Sequence, residues 1–353
     1  MRAMADGALT ILCGDAADTV TATDGRVPAD VLEALTGWAL KSEGWCRGAV
    51  CVPVRDEAVG VVHPGEGGAT VDLRAFAEAL RLPLAIDGGI AVLAESAAAR
   101  AESMASLEAP DFTLSDVNGE AHSLSDNRGK KRMLLTWASW CGCRHELPAW
   151  QALQQELEPF DFTIVAVALD SADEAREFIE AVAPSFVALV DPDHVVAERY
   201  GLVNVPSTVW IDENDHVVRA PDIAPGDDMF REFTAIDSSV HHAQLRDWVR
   251  NGVLPADEAA VRADQQPPSA DEQLARVERR LAIALVRGGH EELAEGHFAR
   301  ASELAPLDWT INRGSMRHRG GDPFGQEFLD FFEDWKAAGR PGYGRTGIDG
   351  EPV

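Results

Sequence analysis

The chain is poor in basic residues and in long apolar runs. It carries 31 Lys and Arg against 59 Asp and Glu, a formal net charge of −28. Phosphate binding needs clustered Lys and Arg, so nucleic acid and anionic membrane are excluded as expected partners. The acidity is spread along the chain and reads as solubility or a salt-rich cytoplasm. No segment approaches the ~20 apolar residues needed to cross a bilayer. The run Ala8-Leu9-Thr10-Ile11-Leu12-Cys13 is too short for a signal core, and Asp15 and Asp18 follow it. A cytoplasmic location is therefore expected. The chain has no P-loop, no dinucleotide fingerprint and no Ser-His-Asp string that can be placed, so no cofactor is expected. Cysteine is scarce as well, with five residues. A structural disulfide framework is not expected in a reducing compartment. The spacing, C-x-C at Cys141 and Cys143, C-x4-C at Cys46 and Cys51, and Cys13 alone, points to catalysis, sensing or metal.

What is present suffices for packed cores. The chain has 353 residues and is 46% hydrophobic, which suits two or three domains. Residues 1–105 read as a small α/β domain of unknown role. In it Leu9–Cys13 and Leu84–Ile86 are strand-like, and Val31–Leu40 and Asp72–Leu80 are helix-like. Cys51–Val54 with Ala58–Val62 could form a hairpin, and Ala94–Ala105 a linker helix. Residues 106–255 alternate strands and helices, as a mixed sheet flanked by helices requires. Beyond a Pro-containing linker near 263–269, Leu274, Val277, Leu281 and Leu285 recur at helical spacing, and Leu293, Phe298, Ala301 and Leu304 form a second helix stopped at Pro306. With Ala282 and Ala294 they resemble one tetratricopeptide repeat in a helical domain over 270–338. One repeat cannot bury its own faces. Either it packs on a core, or Phe324, Phe328, Phe331, Phe332 and Trp335 supply a further helix. Residues 339–353 read as a loose tail or lid.

The most informative stretch is Trp137-Ala138-Ser139-Trp140-Cys141-Gly142-Cys143-Arg144-His145-Glu146-Leu147-Pro148. It follows the apolar Met133-Leu134-Leu135 and leads into an amphipathic Trp150–Leu157. Two cysteines thus fall at a strand-to-helix junction, where amide groups and the helix dipole favour the thiolate.

This stretch resembles the thioredoxin-like thiol–disulfide oxidoreductases of ResA/TlpA type, with C-x-C where that family has C-x-x-C. Supporting segments are Ala109–Leu114 with Asn118-Gly119, Phe162–Leu169 ending at Asp170, a helix-like Glu174–Ala181, and Val205-Pro206 followed by Ser207–Asp212. His241, His242, Leu245, Trp248 and Val249 suggest a closing helix. The resemblance implies a thioredoxin-like sheet flanked by helices. It implies Cys141 as nucleophile, Cys143 as resolving thiol and Glu146 as the acid assisting proton transfer. Trp140, Val205 and a cis Pro206 would lie against substrate. Thioredoxin's own aspartate position is Leu135 here, so the general base falls to Glu146, His145 or a water. His145 reads as a solvated first-turn residue.

Residues i and i+2 of a helix lie roughly 200° apart and do not face each other. A Cys141–Cys143 bond therefore needs distortion at Gly142 and is expected to be strained, more oxidising than thioredoxin's. Alternatively Cys46 and Cys51 serve as a relay pair exchanging with Cys141, or both are small buried residues; Cys13 reads as core. Implied partners are a protein or small-molecule disulfide and a separate thiol donor. Peroxidase chemistry is disfavoured, because Ala138 stands where a Thr or Ser would be needed. The rival readings are Cu(I) or Zn held by Cys141, Cys143 and His145, and an adaptor binding a client through the helical region.

Overall fold

A computed structural model describes residues 7–53 and 68–340. The chain divides into two compact units, Met1–Ala99 with Pro268–Ala305, and Arg100–Pro267 with Pro306–Val353. Among the described residues no helix is long and apolar enough to cross a membrane.

The second unit is built on a seven-stranded mixed sheet. Its strand order is Ala121–Ser123, Thr113–Asp116, Val187–Val190, Phe162–Ala168, Lys131–Trp137, Ser207–Ile211 and Val217–Ile223. The three central strands run parallel and the rest pair antiparallel. All seven residues of Phe162–Ala168 are buried. A parallel strand covered on both faces needs such a continuous apolar run rather than alternation. The covering helices announce themselves by their ends. Ala172–Val182 has a capping box from Ser171 and Glu174, and Ser238–Asn251 runs from an Asp237 cap to left-handed Gly252. Helix Leu147–Leu157 has Pro148 in its first turn, where a missing N–H costs nothing. The expected entry hairpin, central strand, closing helix and thioredoxin-like mixed sheet are all present.

The first unit holds a four-stranded sheet, ordered Ala16–Ala22, Gly7–Cys13, Ile90–Leu93, Leu84–Asp87. It also holds helices Ala29–Thr36 and Leu73–Leu80 and a small meander of Ala39–Lys41, Gly44–Arg47 and Val50–Val52. The helix expected over Val31–Leu40 is shorter. Gly37, in the left-handed conformation, ends it with an N–H bond to Glu33 O, and Leu40 enters a strand. Val50–Val52 pairs with Gly44–Arg47, and the expected partner Ala58–Val62 lies outside the described residues. Helices Ala270–Arg287 and Glu291–Leu304 form an antiparallel pair whose Val277, Leu281 and Leu285 pack with Ala85 and Val92 of the four-stranded sheet. The helical region expected over 270–338 is therefore divided. These two helices complete the first unit, and residues from Pro306 onward belong to the second. Of the expected tail, residues 341–353 lie outside the described ones.

Candidate active site

Strand Lys131–Trp137 delivers the C-x-C stretch to the carboxyl end of the central strands. The α-helix does not begin at the cysteines, as the strand-to-helix reading had it. Residues Gly142–Glu146 form a 3-10 turn, Cys141 precedes it in extended conformation (φ −113°, ψ 146°), and the α-helix starts only at Leu147. The expected 200° separation of the two cysteines thus does not apply, because Cys141 is outside any helix. A single directed amide takes the place of a helix dipole: Cys143 N–H donates to Cys141 Sγ at 3.3 Å. The Cys141 thiol in turn donates to Val205 O at 3.6 Å, and the Val205–Pro206 bond is cis.

Cys141 is buried, at 6% exposure, and Cys143 at 3%. Burial alone would push the Cys141 thiol up. A side-chain hydrogen bond from Cys143, the Arg313 guanidinium, the Cys143 amide and Arg144 outweigh it and bring Cys141 down to about 7. Cys143 is driven the other way, by burial first, then by its bond to Cys141 and by the charges of Cys141 and Glu146. Two thiols two residues apart are thereby differentiated, one close to ionising at neutral pH and one held protonated.

Glu146 sits at the end of the same turn and is 2% exposed. Burial raises its carboxyl to about 8, against the hydrogen bond from Gly226 N–H (2.8 Å) and helped by Cys141 and Asp227. Gly226 is there because nothing larger fits. A Cβ would lie 2.8 Å from Trp150 Nε1 and 2.9 Å from Glu146 Cβ. Phe230, at the end of that loop, covers Gly142, whose added Cβ would meet its ring at 2.5 Å.

The site has a roof that was not legible in the sequence. Helix Trp309–Ser315 is buried along its whole length. Its Trp309 N–H donates to Val203 O at 2.9 Å. A Cβ on Gly314 would meet Trp140 at 3.2 Å and His194 at 3.3 Å. Just beyond it, Arg317 donates to Asp170 and to Ser139 Oγ, both at 2.9 Å. Asp170 also accepts from Ser139 N–H and Oγ–H. Its burial raises it to about 6 against these donors. Trp140, expected against substrate, instead lies buried beneath this helix, with Nε1 donating to Leu169 O at 3.4 Å.

The other predicted residues fall as follows. His145 is exposed and its Nε2 accepts from Arg144 Nε at 3.2 Å. It thus stands apart from the buried thiols and does not complete a ligand set with them. Leu135 is fully buried. Cys46 and Cys51 face each other across the Gly44–Arg47/Val50–Val52 ladder and form a disulfide. A structural disulfide framework was not expected, but the relay alternative has this pair bonding, and the other alternative, that both are small buried residues, holds only for Cys46, since Cys51 is exposed. Cys13 takes no part in a disulfide and is half-buried beside the first unit's core rather than wholly inside it. Asp116, Glu120 and His122 on the entry hairpin lie close enough to share a cation. Asp116 is occupied by the N–H groups of Asn118 and Glu120, and the cluster carries no argument.

The mixed sheet presents two unlike thiols beside a cis-proline loop, the arrangement that the resemblance to the ResA/TlpA type implied. Residues 106–220 match the AhpC/TSA family. The thioredoxin-like protein YneN of Bacillus subtilis is 38% identical over 111 residues, 30% of this chain and 64% of that protein. The thiol-disulfide oxidoreductase ResA of Geobacillus thermodenitrificans is 34% identical over 111 residues, 31% of this chain and 64% of that protein. The thioredoxin domain of a thiol-disulfide oxidoreductase from Bacteroides vulgatus is 28% identical, with a TM-score of 0.31, over 35% of this chain and 91% of that one. The chain thus spans under two thirds of the curated relatives it matches. The expected resemblance to the ResA/TlpA type holds for this segment.

Proposed function

We propose that the chain is a thiol–disulfide oxidoreductase in which Cys141 is the nucleophile, Cys143 the resolving thiol and Glu146 the proton carrier. The observation that carries this is the split between the thiols: Cys141 lowered to about 7 and Cys143 raised within one turn. The Cys141 thiolate attacks one sulfur of a disulfide R–S–S–R′. One S–S bond breaks, R′–S⁻ leaves and takes a proton from solvent, and Cys141 is left in a mixed disulfide with R. Bonding Cys141 to R removes one of the charges that keep the proton on Glu146, and the Glu146 carboxylate then takes the proton of Cys143; Cys143 attacks Cys141 Sγ, R–S⁻ leaves and takes a proton from solvent, and a Cys141–Cys143 disulfide remains. The substrate is reduced by two electrons, and a separate thiol donor restores the pair. Val205 O and Pro206 adjoin Cys141 and are the protein groups offered to the entering disulfide, while Trp140 supports the turn from beneath the roof.

Cys143→Ser tests this reading. The variant is expected to accumulate a mixed disulfide at Cys141 when mixed with a disulfide substrate, and Cys141→Ser to accumulate none. Intact-mass analysis after alkylation reads both. Equal turnover in wild type and Cys141→Ser would overturn it. A second reading, a relay through Cys46 and Cys51, is favoured by their existing as a disulfide with Cys51 exposed. A Cys141–Cys46 or Cys141–Cys51 cross-link in Cys143→Ser would support it.

A further inference from the structure

Arg313 lies 172 residues after Cys141 and outside the 106–220 family match. Arg313 is buried. Its Nε donates to Pro323 O at 3.0 Å, and its guanidinium carbon lies 3.8 Å from the centre of the Phe328 ring. The helix that bears it is fixed at both ends, by the Asp308 cap and Trp309 N–H on one side and by Arg317 on Asp170 on the other. Between these points Gly314 rests on Trp140, the neighbour of Cys141.

We propose that Arg313 is a positioning residue of the thiol site: the docked 309–315 helix sets a buried positive charge at the C-x-C turn, its guanidinium carbon 5.2 Å from the Phe324 ring on which Arg144 also stacks at 4.7 Å, and so holds the Cys141 thiol in its reactive form. The inference rests on the thiol reading above and adds to it a residue from outside the redoxin segment. Among the described residues, the charged and titratable groups that act on this site are Cys143, Arg144 and Glu146 from its own turn, Asp227 from the 224–230 loop through Glu146, and Arg313 from the roof. Arg144 is the nearer cation in sequence but is half-buried and bound to Ser139 O and His145, where solvent weakens its field. Of the two cations, Arg313 acts the more strongly on Cys141. A guanidinium stays charged at any working pH, so the effect is constant across the titration of the thiol.

The test is the pH profile of Cys141 alkylation by iodoacetamide in the full chain, with the modified residue assigned by peptide mass. Alkylation needs no turnover, donor or substrate, so its result is separate from whether the chain is an oxidoreductase. In Arg313→Met the rate at pH 7 is expected to fall about fivefold, as the half-ionised thiol becomes about one-tenth ionised, and to return to the wild-type rate above about pH 9. Arg313→Lys is expected to stay within about twofold of wild type. Arg313→Gln removes the charge while keeping a donor for Pro323 O, and serves if Met is not tolerated. A charge-free variant with native near-UV circular dichroism and an unshifted profile would overturn the proposal. So would a Lys variant shifted as far as the neutral ones, because packing rather than charge would then be responsible.

Discussion

Replacing Glu146 by Gln is expected to flatten the dependence of stability on pH. In the unfolded chain this carboxyl titrates near 4.5, and in the folded protein at about 8. A raised acid keeps its proton in the folded state where the unfolded state has released it. Its stabilising contribution is therefore complete below pH 4.5, is lost as pH rises toward 8, and is gone above that. At 1.36 kcal/mol per pH unit, the interval corresponds to about 5 kcal/mol. Coupling to Cys141 makes about 3–5 kcal/mol the working figure. Gln keeps the length and can still accept from Gly226 N–H, now at 2.8 Å from the carboxylate, but has no proton to lose. Its extra amide donors cost about 1 kcal/mol in a buried position. Glu146→Gln is therefore expected to be slightly less stable than wild type at pH 4.5 and more stable by a few kcal/mol at pH 9. Urea unfolding followed by tryptophan fluorescence reads this, since all tryptophans except Trp38 and Trp45 lie in the second unit. Parallel stability curves for the two proteins from pH 4.5 to 9 would refute the reasoning.

Other consequences can be measured separately. Arg317→Met leaves Asp170 buried with Ser139 alone, and since Arg317 is one-third exposed the loss is expected at about 1–2 kcal/mol, a fall in Tm of about 3–6 °C at the working pH. That penalty is expected to fade below pH 6, where Asp170 takes up a proton; an unchanged Tm at pH 8 would contradict the roof contact. Gly226→Ala brings a methyl within 3 Å of Trp150 and Glu146, and is expected to cost about 1–3 kcal/mol by the same unfolding assay. Gly142→Ala collides with the far end of the Phe230 side chain, which can swing aside. Its expected signature is faster alkylation of Cys141 with little loss of stability, and a rate equal to wild type would count against Phe230 as a cover.

The parts of this protein that were legible in its sequence are those where one physical demand dominates. Phe162–Ala168 must be apolar at every position because both its faces are covered. The helices of the second unit carry their Ser and Asp caps and their glycine stops. The roof is the opposite case. Trp309–Ser315 reads as polar, with Thr310, Asn312, Arg313 and Ser315, yet every one of these is buried. No amphipathic period can reveal a helix enclosed on all sides, and its polar side chains find partners close by, Asp308 for Thr310 and Asn312 and Pro323 O for Arg313. Asp170 was visible only as the end of an apolar run, and its pairing with Arg317 depends on a fold that brings positions 147 residues apart together. Strand Ala16–Ala22 escaped for a simpler reason: it is an edge strand, mostly exposed, with no buried alternation to betray it.

The order in which a ribosome releases this chain gives the roof a further meaning. The whole seven-stranded sheet, with its thiols, is complete in sequence by Ile223, whereas the helix above Trp140 begins only at Trp309. At roughly 5–20 residues per second, tens of residues of unrelated helical hairpin must emerge in between, a delay on the order of ten seconds. During that interval the nascent segment has Phe230 over Gly142 but no helix over Trp140. A chain that stops short in the 268–305 stretch would lack the helix over Trp140 and, with it, Arg313. Synthesis past Arg317 is thus itself the event that finishes the roof.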